Sequence, residues 1–271
     1  MALTKVLITV KTYPAISTKY EELVCTAGFR EDGTWIRIYP LQFRKKPYQQ
    51  QYEKYQWIEI DLVENESDFR PESYRPITHD TEIKIVGKIP TDGDSWLERR
   101  KIVLNKEYFN LTELIAEAKD KNTNTSLAVF KPSKILDFVW EAEDREWDEK
   151  KLATLKQYNL FEINSKNKLE VVKKLPYKFS YIFEDDHGKR SKLMIEDWET
   201  GALFWNMLRK YNSEERACQE VRRKYLDDFA KTKDLYFFLG TTMKNHYVSR
   251  NPFIIIGTFY PKKITQATLD F

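Results

Sequence analysis

Tyr55-Gln56-Trp57-Ile58-Glu59-Ile60-Asp61-Leu62 is the stretch on which the fold turns. Ile58, Ile60 and Leu62 fall on one side of an extended chain, and Trp57, Glu59 and Asp61 on the other. A period of two is the mark of a strand with one face buried and one face wet. Working outward, residues 5–11 read as another strand. Residues 22–29 and 35–39 form a hairpin around Glu31-Asp32-Gly33, an Asp-Gly turn of the favoured kind. Residues 83–89 supply one more strand before the turn Pro90-Thr91-Asp92-Gly93. The first hundred or so residues are therefore expected to be mostly β, a twisted or barrel-like antiparallel sheet.

Beyond that point the periodicity changes. Leu111, Leu114, Ile115 and Ala118 fall at helical spacing, which predicts a helix over 111–119. Residues 126–130 and 134–141 read as strands around Pro132, and 148–158 as a second helix. The polar run Asn164-Ser165-Lys166-Asn167 has no period and reads as a linker or exposed loop. After it come a hairpin (177–183 and 192–195) about Asp186-His187-Gly188, helices over 198–211 and 214–229, and two strongly apolar strands over 234–239 and 252–259. Asn212 with Glu215 three residues on resembles a capping box. The whole is an α+β chain, with a β-rich N-terminal domain over 1–162, a helix-and-sheet C-terminal domain over 168–260, and a flexible tail over 261–271.

Composition sets the outer limits. The chain has 271 residues, 41% hydrophobic and 14% aromatic, enough for a sizeable core. No apolar run approaches the ~18 residues of a membrane span, and the first ten residues look like a strand, so the expected location is cytoplasmic, with no membrane partner. Cys25 and Cys218 read as free thiols of a reducing compartment. Dinucleotide, P-loop and hydrolase-elbow motifs are absent from the sequence. The net charge of +3 is too small to argue nucleic-acid binding, so its distribution matters more.

Between Trp35 and Trp57 cations interleave with rings. Arg37, Arg44, Lys45, Lys46 and Lys54 can neutralise phosphates while Tyr48 and Tyr52 stack on unpaired bases, which predicts a DNA-binding surface. Arg223 and Lys224 add a basic stripe on the helix over 214–229. At the C-terminus, Gln266-Ala267-Thr268-Leu269-Asp270-Phe271 has the Q-x-x-L-x-F pattern by which bacterial replication and repair proteins grip the sliding clamp. Leu269 and Phe271 would enter an apolar pocket and Gln266 would bond at its rim.

Several motifs, Lys11-Thr12-Tyr13-Pro14, Thr26-Ala27-Gly28, Trp35-Ile36-Arg37-Ile38-Tyr39-Pro40 with Phe43-Arg44, Arg70-Pro71-Glu72-Ser73-Tyr74, Asp197-Trp198-Glu199 and Ile256-Gly257, resemble those of an uncharacterised family of bacterial proteins. The resemblance spans most of the chain and implies a common fold; it carries over no catalytic residue. Some relatives have paired cysteines near the position of His187-Gly188. Those cysteines are absent here, so no zinc site is carried over.

The leading expectation is a DNA-associated protein of genome maintenance or antiviral defence. Its rival is a DNA-processing enzyme, either a base-removing glycosylase or a metal-dependent nuclease. Asp197 and Glu199 could supply an acid or base beside the Trp198 ring, and His246, in the polar loop 241–251, another. No cofactor is expected, with magnesium entering only for a nuclease built on Glu196, Asp197 and Glu199. A third reading is a protein-interaction module without a nucleic-acid role.

Overall fold

A bend in the first strand organises the N-terminal half. In the computed structural model, which describes residues 2–17, 21–93, 95–150, 152–153 and 171–264, β1 (Ala2–Lys11) pairs along its first part with β5 (Gln56–Glu64). Past an irregularity between Ile8 and Val10, it pairs with β3 (Glu21–Phe29). One bulged strand thus serves two neighbours, the usual way a sheet turns a corner. β3 continues to β4 (Trp35–Leu41), β4 runs parallel to β6 (Ser73–Pro76), and β6 returns to β5, so five strands close into a barrel. Short β2 (Ala15–Ser17) flanks β3, and β7 (Ile83–Lys88) flanks β5. The alternation in 55–62 does what it predicts: Ile58, Ile60 and Leu62 join Val6, Ile8, Ile36 and Ile38 inside the barrel. At the corner, a Cβ on Gly28 would lie 1.9 Å from the Leu7 carbonyl oxygen, so only glycine lets β3 pass this close to β1.

Among the described residues, the C-terminal half holds two further sheets. β8 (Glu107–Tyr108), β9 (Leu127–Phe130), β13 (Tyr236–Thr241) and β14 (Phe253–Phe259) form one, in the order β14-β13-β9-β8. β10 (Lys134–Ala142), β11 (Tyr177–Glu184) and β12 (Arg190–Met194) form the other. Of the two strongly apolar strands read from the sequence, β13 is hydrogen-bonded on both sides. β14 has β13 on one side and a single parallel bridge, Ile195 to Ile255, on the other.

The helices with described bounds are α1 (Leu97–Val103), α2 (Leu111–Lys119), α3 (Trp198–Tyr211) and α4 (Glu214–Arg222), which continues in wider π-helical turns over Arg223–Ala230. Asn110 caps α2 by accepting from the Thr112 and Glu113 N–H groups. The cap of α4 is Ser213, not Asn212, which instead ends α3 with φ of +48°. The predicted helix over 148–158 and the linker at 164–167 lie mostly or wholly outside the described residues.

The barrel and the β13–β14 sheet share a core. Val10, Ala27, Phe29 and Tyr55 from the barrel side meet Trp96, Val129, Phe238, Ile256 and Phe259. Each fully buried large side chain contributes about 1.5–3 kcal/mol by leaving water. The expected α+β architecture, with a β-rich N-terminal half and C-terminal helices and sheets, is the one observed.

Candidate functional site

Where β3 and β4 face the β13–β14 sheet, a cavity of about 370 Å³ opens. The segment after β1 gives it Thr12, Tyr13, Ala15 and Ile16, the barrel strands Leu23, Cys25, Arg37 and Tyr39, and the loop between β5 and β6 Asn65, Ser67, Asp68 and Arg70. The C-terminal half closes it with Glu196, the turn Gly240–Met243, Ile254 and Ile256. Mostly apolar walls with a few polar groups are the usual make-up of a ligand pocket.

Nearly all of those polar groups are already engaged. Arg37, 2% exposed, donates to Glu72 at 3.1 Å, to the Ser126 hydroxyl at 2.8 Å and to the Ser126 carbonyl at 3.2 Å. Arg70 donates to Asp68 at 2.8 Å and 2.5 Å and to the Thr241 carbonyl at 2.5 Å, and Ser73 donates to Asp68 at 2.7 Å. Burial, the largest influence on Asp68, raises its pKa, but Arg70 and Ser73 outweigh it and hold the carboxyl below its ordinary value. The Asn65 amide donates to the Tyr39 carbonyl at 3.2 Å and accepts from Ser67 at 2.8 Å. Burial, then the nearby Arg70 charge, lowers the pKa of Arg37, and burial raises that of the Cys25 thiol.

Glu196 is the exception. Its main chain is fixed, with N–H to the Ile255 carbonyl at 2.8 Å and its carbonyl accepting from Tyr13 at 3.3 Å, while no described residue binds its carboxyl. The side chain is exposed, and it forms part of the cavity lining. Desolvation by the surrounding protein raises its pKa. Tyr13 beside it is locked: its hydroxyl donates to the Lys173 carbonyl at 2.8 Å and accepts from the Trp205 indole at 2.8 Å. Its ring lies so close to α3 that a Cβ on Gly201 would stand 2.2 Å from it.

Asp197, one residue on, belongs to a different cluster. It bridges to Thr12, and its carboxylate accepts from the Lys54 ammonium at 2.7 and 2.9 Å; Glu199 accepts from the same ammonium at 2.8 Å. Burial pulls the Lys54 pKa down most strongly, yet the two carboxylates together raise it above its ordinary value. Burial lifts Asp197 above the usual carboxylate range against the pull of Lys54, whereas for Glu199 Lys54 and Lys11 prevail over burial and lower it. Lys11 lies 4.4 Å from the Phe43 ring centre and 4.5 Å from that of Trp198. Burial and, next, the Lys54 charge lower its pKa to about 8.

The third predicted catalytic residue, His246, joins neither group. Its Nε2–H donates to the Ala118 carbonyl at 2.6 Å and its Nδ1 accepts from the Thr241 hydroxyl at 2.8 Å. Its ring is fully buried against Phe69 and Tyr247, and burial favours the neutral form. The composite acid–base site of Asp197, Glu199 and His246 is therefore not assembled. Histidine holds a loop, and the two acids hold a lysine.

The basic-aromatic stretch is likewise more interior than a binding surface requires. Arg37 and Tyr52 are both buried, for different reasons: Arg37 lies on the face of β4 opposite the barrel-core residues Ile36 and Ile38, where Ser126 of the C-terminal half covers it, whereas Tyr52 packs in the barrel core, hydrogen-bonded to Thr26. Lys46 donates to the carbonyls of His79 at 2.6 Å and Thr81 at 2.8 Å, and Arg44 pairs with Glu22 at 2.5 Å. Lys45 is exposed, and Tyr48 is 85% exposed. On α4 and its extension Arg223 pairs with Glu220 and Lys224 with Asp228, an ordinary ion-paired helix face. Gln266, Leu269 and Phe271 lie outside the described residues. Among the described residues no three His, Cys, Asp or Glu side chains converge as metal ligands, and no helix is long and apolar enough to cross a membrane.

Sequence reasoning passed over Asp68, Arg70 and Phe69, and gave Glu196 a place only in a magnesium cluster. Phe69, between the cavity-lining Asp68 and Arg70 in sequence, stacks on Tyr247 with ring centres 4.9 Å apart, and both rings are exposed. The signal was present in the segment 65–72, which mixes charge and ring at an irregular stretch between strands.

Residues 2–105 match a family described as Domain of unknown function (DUF8758), and residues 108–270 match one described as Domain of unknown function (DUF8757). The two matches meet between α1 and β8. A comparison with curated proteins gives no match.

Proposed function

The chain belongs to the DUF8757 family, and from that premise, which fixes no chemistry, we propose that it is a DNA-associated protein of genome maintenance or antiviral defence that engages unpaired DNA at the cavity. The observation that carries this reading is where the cavity lies. Counted along the barrel, the strands follow the closed order 1-2-3-5-4, with the third and fifth parallel. That is the arrangement of oligonucleotide-binding barrels, which bind on the face of their second and third strands between the loop after the first strand and the loop joining the fourth and fifth. Here the cavity is lined by those four parts. A shared barrel alone is only an analogy; a cavity built from the same four parts supports the reading through its site.

The surroundings support it further. The stacked rings of Phe69 and Tyr247 are exposed, and Lys244 and Arg250 are exposed on the same loop as Tyr247. The tail residues Gln266, Leu269 and Phe271 are proposed to hold the sliding clamp.

Fluorescence anisotropy with single- and double-stranded oligonucleotides tests the DNA reading. Single strands are expected to bind more tightly, with affinity falling as salt rises. Absence of binding at low salt, in a protein shown to be folded, would overturn it. For the tail, deleting residues 266–271 is expected to abolish binding to a purified clamp and leave DNA affinity unchanged.

A further inference from the structure

Resting on the DNA reading above, we propose that the Phe69–Tyr247 ring pair is a second contact outside the cavity, a platform on which an unpaired base stacks while Lys244 and Arg250 hold the adjoining phosphates. The two rings come from opposite halves of the chain, Phe69 from the loop between β5 and β6 and Tyr247 from the loop between β13 and β14. Their centres are 4.9 Å apart and their planes 24° from parallel, yet 43% of Phe69 and 39% of Tyr247 stay in water. Met243 and Val248 of the second loop are exposed as well. Apolar side chains gathered in water mark a surface that meets a partner.

The rings are anchored where they stand. Arg70, next to Phe69, donates to the Thr241 carbonyl at 2.5 Å and so ties the two loops together. His246, next to Tyr247, is buried; it donates to the Ala118 carbonyl at 2.6 Å, accepts from the Thr241 hydroxyl at 2.8 Å, and meets the Phe69 and Tyr247 rings edge-on at 5.1 and 4.8 Å. The Tyr247 hydroxyl donates to the Asn124 side-chain oxygen. A platform fixed in advance spares a bound strand much of the entropy of ordering it. Charge selects the partner: residues 241–251 include Lys244 and Arg250 and no acid, and both cations are exposed. Ring faces beside cations suit the bases and phosphates of a single strand, whereas a duplex keeps its bases stacked on one another. Asp68 and Arg70, on either side of Phe69, line the cavity, as does Met243 of the Tyr247 loop, so one strand can meet both places.

The experiment uses the full chain and thymidine oligonucleotides with one 2-aminopurine, whose fluorescence falls when it stacks on a ring, moved along the strand. Phe69→Leu and Tyr247→Leu keep the apolar bulk and lose the ring face. Each is expected to weaken single-strand binding about tenfold, and to abolish the quenching at saturating protein. Tyr247→Phe keeps the ring and should retain both, and Val248→Ala should leave both unchanged. Replacing Lys244 and Arg250 together by Gln should lower the slope of log affinity against log salt by about 1.4, the amount for two phosphates of a single strand. Ala15→Trp, at an exposed position on the cavity wall, should close the cavity and leave the quenching at saturation. Unchanged affinity and quenching in both leucine variants overturn the inference while the DNA reading stands. If those variants lose binding and Ala15→Trp does not, the platform stands and the cavity leaves the DNA reading. A folded wild-type chain that binds anionic lipid vesicles and no single strand overturns both, and gives the loop to a membrane surface.

Discussion

Adjacent residues 196 and 197 differ because the extended backbone between β12 and α3 sends neighbours to opposite sides, so Glu196 lines the cavity and Asp197 meets the Lys54 ammonium. The sequence makes their acidity plain, but not which of them finds a cation, since Lys54 is 143 residues away from Asp197. Removing that cation strands a buried charge. Lys54→Met is expected to cost about 3–5 kcal/mol in urea denaturation, whereas replacing Glu199, on the more exposed side of the pair, should cost far less. Lys11 makes a prediction about pH. Its ammonium titrates near 8 in the folded chain against an ordinary 10.5, so between those values the unfolded chain holds more protons and stability rises with pH. Lys11→Met should flatten that rise, by roughly 1–3 kcal/mol across the window, as measured by comparing the two proteins' denaturation midpoints. An identical pH dependence in both would remove Lys11 from the account.

Elements with a regular period were legible, and elements set by distant contacts were not. The helix over 111–119 is found at its predicted limits because its apolar spacing and the Asn110 cap are both local. Asn110→Ala should lower stability by about 1 kcal/mol, read from the thermal midpoint. The helix α1 went unpredicted: Leu97–Val103 is short and rich in charge, and it begins at Trp96 in a left-handed conformation with φ of +55°. The strand β6 escaped too, being four residues whose partners are β4 and β5. Strand closure depends on Gly28, and there the penalty is steric. Gly28→Ala is expected to cost more than about 3 kcal/mol, beyond ordinary overpacking, because the obstacle is backbone. Wild-type stability in that variant would mean that β1 and β3 can part without loss.

At the scale of the molecule, the two halves share Phe29, Phe238, Ile256 and Phe259 in one core, and Arg70 of the barrel is held by the Thr241 carbonyl. They should therefore unfold together. A single calorimetric transition is expected, and Phe238→Ala should lower it as a whole by about 3–5 kcal/mol; two resolved transitions would show that the halves stand independently. The sequence revealed the fold class, yet the cavity was invisible in it, because its walls come from segments spread between Thr12 and Ile256 that meet only after both halves are built. The expected binding surface was read from a stretch of continuous chain, and much of that stretch turned inward. One wall residue gives the native protein its own reporter. Cys25 borders the cavity, while Cys218 is sealed in the core. The rate at which a small alkylating reagent consumes the first thiol is thus a clock for cavity occupancy, one that needs no engineered label and runs slow whenever a guest is present.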